Sequence, residues 1–261
     1  MTELRENLDQ LEEEIAAACR KAGRTRSEVE LMAVSKTYPA ATIAEAAALG
    51  LTLFGENRVQ EFAAKAAELA ASLEAASPNA NLTATEANPR EAAPSCLHRA
   101  ALHVHLIGHL QSNKAQRAVE LFDGIDSVDS VRLAERLNEA AVKLGKKLPV
   151  LVEVKLSPEE SKAGLDPGSA EAAELLERLP ALPHLQMRGL MTIAPFGVPE
   201  LETRACFRSL RQWRDRWAAT YPRLSFEALS MGMSGDFQLA IEEGATRIRV
   251  GTALFGARQR L

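Results

Sequence analysis

"LMAVSKTYPAAT", residues 31–42, separates two candidate architectures for this chain. The four apolar residues 31–34 predict a short buried strand, and Pro39 rules out further strand pairing. The turn after the strand has none of the glycines that a dinucleotide-binding turn needs, which argues against an open, doubly wound sheet. Lys36 stands at the end of this strand, where burial of a charge is costly. It is therefore either a side chain that extends into water or a reactive amine.

Short apolar segments alternate with segments of helical periodicity along the chain. The strand candidates are residues 31–35, 51–55, 103–107, 124–128, 149–155, 187–193, 225–230 and 246–250. The helix candidates that follow them are residues 40–49, 57–73, 112–121, 130–144, 168–178, 200–219, 235–243 and 253–258. Eight strands that alternate with helices predict a parallel sheet, and closing that sheet leaves no edge strand. We therefore predict an α/β fold, a single TIM-type (β/α)8 barrel over residues 1–261, with an extra N-terminal helix over residues 3–21.

One segment, residues 74–101, interrupts this alternation. It contains three prolines and three asparagines and shows no apolar periodicity. We interpret it as a mobile surface insertion before the third strand, because long loops without secondary structure of their own are uncommon inside a compact domain.

The composition excludes several classes of partner. The chain has 261 residues, a formal net charge of −4 and no polybasic segment that would bind nucleic acid or an anionic membrane. No apolar run approaches the roughly 18 residues of a membrane span, and the acidic amphipathic N-terminus is not a signal peptide. Cys19, Cys96 and Cys206 are far apart and form neither a disulfide framework nor a metal-binding spacing. We expect a cytoplasmic protein without a nucleic-acid or membrane partner.

Two glycine-containing loops follow the last two strands, which is the usual place of a phosphate site in such barrels. In "LSMGMSGDF", residues 229–237, two glycines flank Ser234 just before a helix. In "IRVGTALFG", residues 248–256, Gly251 and Thr252 open another helix. Small residues let backbone N–H groups converge, and a helix N-terminus adds its positive dipole end. The pair of loops predicts a phosphate site, although either loop alone would suit an ordinary βα turn.

The lysine and the loops belong to one site if the barrel closes, because the first and eighth strands are then neighbours. A phosphate anchor beside a lysine that forms a Schiff base is what pyridoxal 5′-phosphate (PLP) requires. Arg249 lies two positions before Gly251 and so shares its strand face. Its guanidinium would keep a pyridine nitrogen unprotonated, since arginine offers only donors. Arg247 shares this face and is a second candidate for the partner of the pyridine nitrogen. For either arginine, the alternative role is a salt bridge at the barrel rim.

Five motifs in series resemble the pyridoxal phosphate homeostasis proteins, also called the YggS or proline synthetase co-transcribed family. They are "AVSKTYP", "FGENRVQE", "HLIGHLQSNK", "SMGMSGD" and "RVGTALFGAR". The resemblance runs from about residue 3 to residue 258 and fails over the insertion. It implies a PLP-binding barrel like the alanine racemase N-terminal domain. The site residues that it implies are Lys36 as the covalent PLP aldimine, Ser234, Gly235, Gly251 and Thr252 at the phosphate, Arg249 at the pyridine nitrogen, and Asn57 and Ser230 near the ring.

The resemblance implies a regulator of PLP supply and not an enzyme. Members of the family buffer PLP within vitamin B6 homeostasis and hand it to PLP-dependent apoenzymes. PLP racemases of this fold need a second base from a further, β-rich domain across a dimer interface. The two tyrosines, Tyr38 and Tyr221, do not replace it, and we expect a monomer. The alternative is a PLP-dependent amino-acid racemase or related enzyme that acts without a second domain.

Other polar groups suggest weaker hypotheses. His103 and His105 share a strand face, as metal ligands do in some barrel hydrolases. We favour instead a structural His105 beneath the site, an exposed His103, and no metal site. Lys162 and Gly164 form either a lid over the barrel mouth or a solvated loop.

Three further features concern helices. Trp213 and Trp217 share one helix face and are interpreted as core packing. Lys65 is assigned to the solvated outer face of its helix. The "LQSNK" segment around Lys114 is either a second anion site or a helix cap.

Overall fold

The chain folds into a closed barrel of eight parallel strands, each paired with its sequence neighbours and the eighth with the first. The structure is a computed structural model, and it describes residues 2–75, 102–157 and 163–256. The strands are β1 Glu30–Val34, β2 Leu53–Glu56, β3 His103–Leu106, β4 Gly124–Val128, β5 Leu148–Glu153, β6 Leu185–Met191, β7 Ala228–Ser230 and β8 Arg247–Val250. The predicted barrel is confirmed.

Helices surround the barrel and alternate with its strands. The described part of the chain contains α1 Glu3–Lys21, α2 Ala40–Ala48, α3 Val59–Ala75, α4 Ala115–Leu121, α5 Val131–Lys143, α6 Ala170–Arg178, α7 Glu200–Thr220, α8 Phe237–Glu242 and α9 Thr252–Phe255. The extra helix α1 packs the buried stripe that includes Leu4, Leu11 and Ile15 against α8 and α9. None of the described helices is long and apolar enough to cross a membrane.

Apolar side chains fill the part of the barrel interior below the strand ends. Met32, Val34, Leu53 and Ile107 form a buried apolar cluster inside the strands. Beneath it, the Asp126 carboxylate accepts from His105 Nδ1, with 2.8 Å between Nδ1 and Oδ1, and from the Arg247 guanidinium at 3.0 Å. The prediction that His105 is structural is therefore confirmed.

The position of Arg247 corrects one sequence interpretation. Its guanidinium donates to Glu30 at 2.7 Å, at the amino-terminal end of the barrel. Two residues along a strand advance it by about 7 Å, so Arg247 and Arg249 share a face but not a level in the barrel. Arg247 belongs to the barrel floor and is not a candidate partner of a pyridine nitrogen.

Helix α3 corrects a second interpretation. Lys65 is only 9% exposed and lies against the end of β1, not on a solvated outer face. The helix also continues to Ala75, so it includes the first two residues of the interpreted insertion. The rest of that segment, residues 76–101, and Lys162 lie outside the described residues.

The two tryptophans of α7 differ in burial. Trp217 is buried and joins the main core, while Trp213 is half-buried at its margin, with 5.6 Å between the two ring centroids. The Arg216 guanidinium lies 5.0 Å from the Trp213 ring centroid. The core interpretation holds fully for Trp217 and partly for Trp213.

Candidate cofactor site

A cavity of about 430 Å³ opens at the carboxyl ends of the strands, where such barrels place their working residues. Seven of the eight predicted site residues line it: Lys36, Asn57, Ser234, Gly235, Arg249, Gly251 and Thr252. Ser230 does not line the cavity but lies buried at the end of β7, directly beneath it. Residues from both ends of the sequence thus meet at one place because the barrel closes between β8 and β1.

Lys36 occupies the corner of a tight turn that follows β1. The backbone N–H of Tyr38 donates to the carbonyl of Ser35 at 3.1 Å, and Thr37 has a φ of 71°. A β-branched residue rarely adopts a positive φ, so the surroundings must hold this turn in place. The Tyr38 hydroxyl donates to the carbonyl of Gly256 at 2.8 Å. That bond fixes the lysine turn to the chain after β8.

The loops after β7 and β8 are joined by one side chain. Ser234 Oγ accepts hydrogen bonds from the backbone N–H groups of Gly251 and Ala253, each at 3.3 Å. Within the described part of the chain, the N–H groups of Gly235 and Thr252 have no hydrogen-bond acceptor. The two loops therefore bring several backbone donors to one wall of the cavity, which is how proteins bind phosphate without a lysine clamp.

The loop after β7 depends on a glycine for its shape. Gly232 has a φ of 93°, and a Cβ atom built on it would lie 2.6 Å from the Cβ of Ala240 in α8. Only glycine tolerates both the conformation and the close approach. Asp236 holds the rest of the loop, since its carboxylate accepts from the backbone N–H of Met233 at 2.5 Å. Burial raises the pKa of Asp236, while this bond and Arg249 oppose the change.

Arg249 lies buried at the base of the cavity with fixed partners. Its guanidinium donates to Ser230 Oγ and to the carbonyl of Thr192, both at 2.8 Å. Burial lowers the pKa of Arg249, and the carboxylates of Asp126, Glu153 and Asp236 oppose that change. The guanidinium is therefore held rigidly beneath the cavity.

Sequence reasoning missed two buried carboxyl groups at this end of the barrel. Glu56 ends β2 and Glu153 ends β5, and one oxygen of each, Oε2, has no hydrogen-bond partner among the described residues. The signal was available, because each is an acidic residue that directly follows an apolar strand. Gly164, a proposed lid residue, packs against Glu153 at the end of β5 and does not line the cavity.

An apolar loop after β6 was also missed. Ile193, Pro195, Phe196 and Val198 line one side of the cavity. Phe196 is 94% exposed, so the entrance is in contact with solvent. A run of apolar residues between two prolines, "APFGVP", was the signal in the sequence.

The remaining polar candidates lie elsewhere. His103 is exposed at the opposite end of the barrel, and the described residues contain no group of three metal-ligating side chains. The segment Ser112–Lys114 forms a single 3-10 turn before α4, without a side-chain cap. It does not contribute to the cavity.

Comparison with known families first defines the class of protein. Residues 7–259 match the family described as the alanine racemase N-terminal domain. A pyridoxal phosphate homeostasis protein of Vibrio cholerae serotype O1 is 39% identical over 260 residues, which covers 99% of this chain and 98% of that protein. A relative of the same name from Aquifex aeolicus is 37% identical and covers 97% of this chain and 98% of that protein. The chain therefore belongs to the pyridoxal phosphate homeostasis protein family.

Solved structures agree with this assignment. PipY of Synechococcus elongatus, in a structure with PLP bound, is 44% identical with a TM-score of 0.71; the match covers 93% of this chain and all (100%) of that chain. Alanine racemase of Clostridium difficile is 15% identical with a TM-score of 0.64, over 97% of this chain and 56% of that chain. The second likeness concerns the barrel fold alone.

Proposed function

We propose that this protein binds PLP in the cytoplasm, holds it as a Schiff base on Lys36 and regulates its supply. The observation that carries the proposal is the meeting of Lys36 with the two loops after β7 and β8 in one cavity. The names of the curated relatives and the PLP-bound PipY structure support it. The cavity volume of about 430 Å³ also lies in the usual range for small-molecule sites.

The residues of the cavity fit the three polar ends of PLP. The molecule carries an aldehyde, a phosphate and a pyridine nitrogen, and it supplies an electrophilic carbonyl when bound. An amine at Lys36, backbone donors in the two loops and a guanidinium at Arg249 are the complementary groups.

Lys36 would act as the nucleophile. Its uncharged amine would hold the cofactor by condensing with the aldehyde, which would supply the electrophilic carbon and release its oxygen as water together with the two amine protons. The tight turn at Ser35–Tyr38 would keep the side chain at the cavity wall.

The loops would hold the phosphate with Ser234, Gly235, Gly251 and Thr252. Ser234 Oγ accepts hydrogen bonds from the N–H groups of Gly251 and Ala253, so backbone donors of the loop after β8 point toward the loop after β7. The N–H groups of Gly235 and Thr252 and the Thr252 hydroxyl would complete the anion site. Asn57 lines the same cavity, where it would contact the ring.

Arg249 would keep the pyridine nitrogen unprotonated, because a guanidinium can only donate to it. An unprotonated ring withdraws electrons weakly, which suits storage better than catalysis. Ser230 accepts a hydrogen bond from Arg249 at 2.8 Å. We assign Ser230 the role of orienting that guanidinium and not of touching the ring.

We expect Thr252→Ala to weaken PLP binding by about fivefold, because one hydrogen bond to a charged group is lost. Affinity for pyridoxal, which lacks the phosphate, should stay unchanged. Fluorescence titration with both vitamers measures the difference. Thr220→Ala, on the exposed end of α7, is the matched control. Equal affinity of the Thr252 variant and the wild type for PLP would contradict the phosphate site.

We further propose that the protein acts as a monomeric carrier that passes PLP to apoenzymes, and not as an enzyme. The exposed entrance at Phe196 supports exchange with solvent or a receiving protein. The Tyr38 hydroxyl, one candidate for a second base, is engaged with the carbonyl of Gly256. Incubation of the PLP-loaded protein with single enantiomers of amino acids should give no racemisation at enzymatic rates. Fast racemisation would favour the alternative, a racemase without a second domain.

A further inference from the structure

Lys65 of α3 is buried beneath the turn that carries Lys36. Its ammonium donates to the carbonyls of Ser35 and Tyr38, at 3.1 and 3.0 Å, and to Glu56 Oε1 at 2.8 Å. An ammonium has three N–H groups, so these contacts use all of them. The two carbonyls belong to the first and last residues of the turn. Lys65 therefore forms hydrogen bonds with the backbone on both sides of Lys36.

The turn needs such support because its conformation is unfavourable. Thr37, the third residue of the turn, has a φ of 71°, where glycine or asparagine is normally found. Its backbone N–H donates to Glu61 Oε1 at 2.5 Å, one helical turn before Lys65. Glu61 and Lys65 thus hold neighbouring peptide groups of the same turn from the same face of α3.

Glu56 holds the ammonium of Lys65 in place. Its side chain is fully buried at the end of β2, and Oε1 accepts from both Ser35 Oγ at 2.7 Å and Lys65. The group of Lys65, Glu56, Glu61, Ser35 and Thr37 therefore links β1, β2 and α3 at one point. We call it the turn clamp.

We propose that Lys65 is a positioning residue for Lys36: through the turn clamp it sets the direction in which the Lys36 amine enters the cavity. The inference rests on the proposed function, since it concerns the reach of Lys36 to the aldehyde of PLP. Without Lys65 the carbonyls of Ser35 and Tyr38 lose the charged donor that links them, while the Tyr38 N–H bond to Ser35 remains, and Thr37 can relax to a negative φ. The corner of the turn then moves, and Lys36 moves with it.

The test separates the covalent contact from the rest of the site. Two variants are made. The first is Lys65→Met alone. The second combines it with Glu56→Gln, so that the buried carboxylate is not left as an unpaired charge. The two probes are PLP and pyridoxine 5′-phosphate, which has an alcohol in place of the aldehyde and cannot condense with an amine. Both are titrated against each variant, and thermal unfolding is recorded for each.

We expect the affinity for PLP to fall about tenfold in the double variant, from the loss of charged hydrogen bonds that orient the amine. The affinity for pyridoxine 5′-phosphate should stay within about twofold, because the phosphate loops are untouched. Equal losses for the two probes, or an unchanged affinity for PLP, would overturn the proposal. If neither variant folds, Glu61→Ala, at the partly exposed edge of the turn clamp, provides the test. We expect this variant to lose a smaller part of its affinity for PLP and none of its affinity for pyridoxine 5′-phosphate.

Lys146 supplies a matched control. Its ammonium also donates hydrogen bonds to two carbonyls, those of Val119 and Phe122. Lys146, however, lies before β5 at the opposite end of the barrel. Lys146→Met should lower the unfolding temperature and leave both affinities unchanged. Failure of the proposed function is seen separately, as the absence of any borohydride-fixed adduct in the wild type. An adduct in the wild type together with normal PLP affinity in the Lys65 variants would reject the positioning role alone.

Discussion

Replacing Lys36 with alanine is expected to abolish the covalent adduct with PLP and to lower the affinity by about a hundredfold or more. The side chain supplies the nitrogen of the only covalent bond in the proposed complex. The phosphate loops remain, so weak binding should persist without the absorption band of the Schiff base. Absorption spectroscopy and equilibrium dialysis measure the two effects.

The control for this variant is Lys143→Ala, at the exposed end of α5 and far from the cavity. It should keep the yellow absorption of the wild type. A Lys36→Ala protein to which borohydride still fixes a pyridoxyl group would mean that another lysine carries PLP. That outcome would contradict the assignment of the site.

A large effect on stability is expected from Glu153→Gln at alkaline pH. Glu153 is 4% exposed, and its Oε2 has no partner among the described residues. Burial, with a smaller contribution from Asp129, raises the pKa of Glu153 from its usual 4.5 to about 7, although Arg249 opposes the change. The folded protein therefore holds a proton on this group at a pH where the unfolded chain has released it.

The direction of the pH dependence follows from this difference. A raised pKa in the folded state favours folding at low pH, and that stabilisation is lost as the pH rises from about 4.5 to about 7. The neutral amide introduced by Glu153→Gln avoids the loss. We expect the variant to be more stable than the wild type by about 3 kcal/mol at pH 8 and by about 1 kcal/mol or less at pH 5.

Urea unfolding at the two pH values measures this gap. Glu139→Gln, on the exposed face of α5, is the control and should change the free energy of unfolding by less than about 0.5 kcal/mol at either pH. A gap between wild type and Glu153→Gln that does not grow with pH would show that the Glu153 carboxyl is ionised in the folded protein.

The barrel was predictable because its signals are local. Each strand is a short apolar run between helical segments, and this alternation is visible without any knowledge of tertiary contacts. The boundaries were less accurate, as at β7, which was predicted over residues 225–230. The observed strand is Ala228–Ser230, because Phe226 packs into the core and the ladder with β6 begins at Ala228.

The cavity was partly predictable for the same reason. Closure of the barrel puts Lys36 beside the loops after β7 and β8, so seven predicted residues line one cavity. Arg247 was misplaced because alternation along a strand gives the face of a side chain but not its depth in the barrel. Its depth depends on the stagger of neighbouring strands, which the sequence does not display.

Lys65 was assigned to the wrong face of α3 although its spacing was informative. It lies three residues after Phe62 and four before Leu69, both fully buried, and so belongs to their stripe. The helical spacing placed Lys65 on the buried face, but lysines are rarely buried, so the residue type pointed to the solvated face. Its partners, Glu56 and two carbonyls of the Lys36 turn, come from other elements and appear only in the folded chain.

The central claim is the covalent bond between Lys36 and PLP, and reduction with borohydride tests it most directly. Wild-type protein is loaded with PLP, reduced, digested and analysed by mass spectrometry. The account predicts that one peptide, the one that contains Lys36, carries a reduced pyridoxyl group. A label on a different lysine, or a loaded protein in which no peptide is labelled, would contradict it.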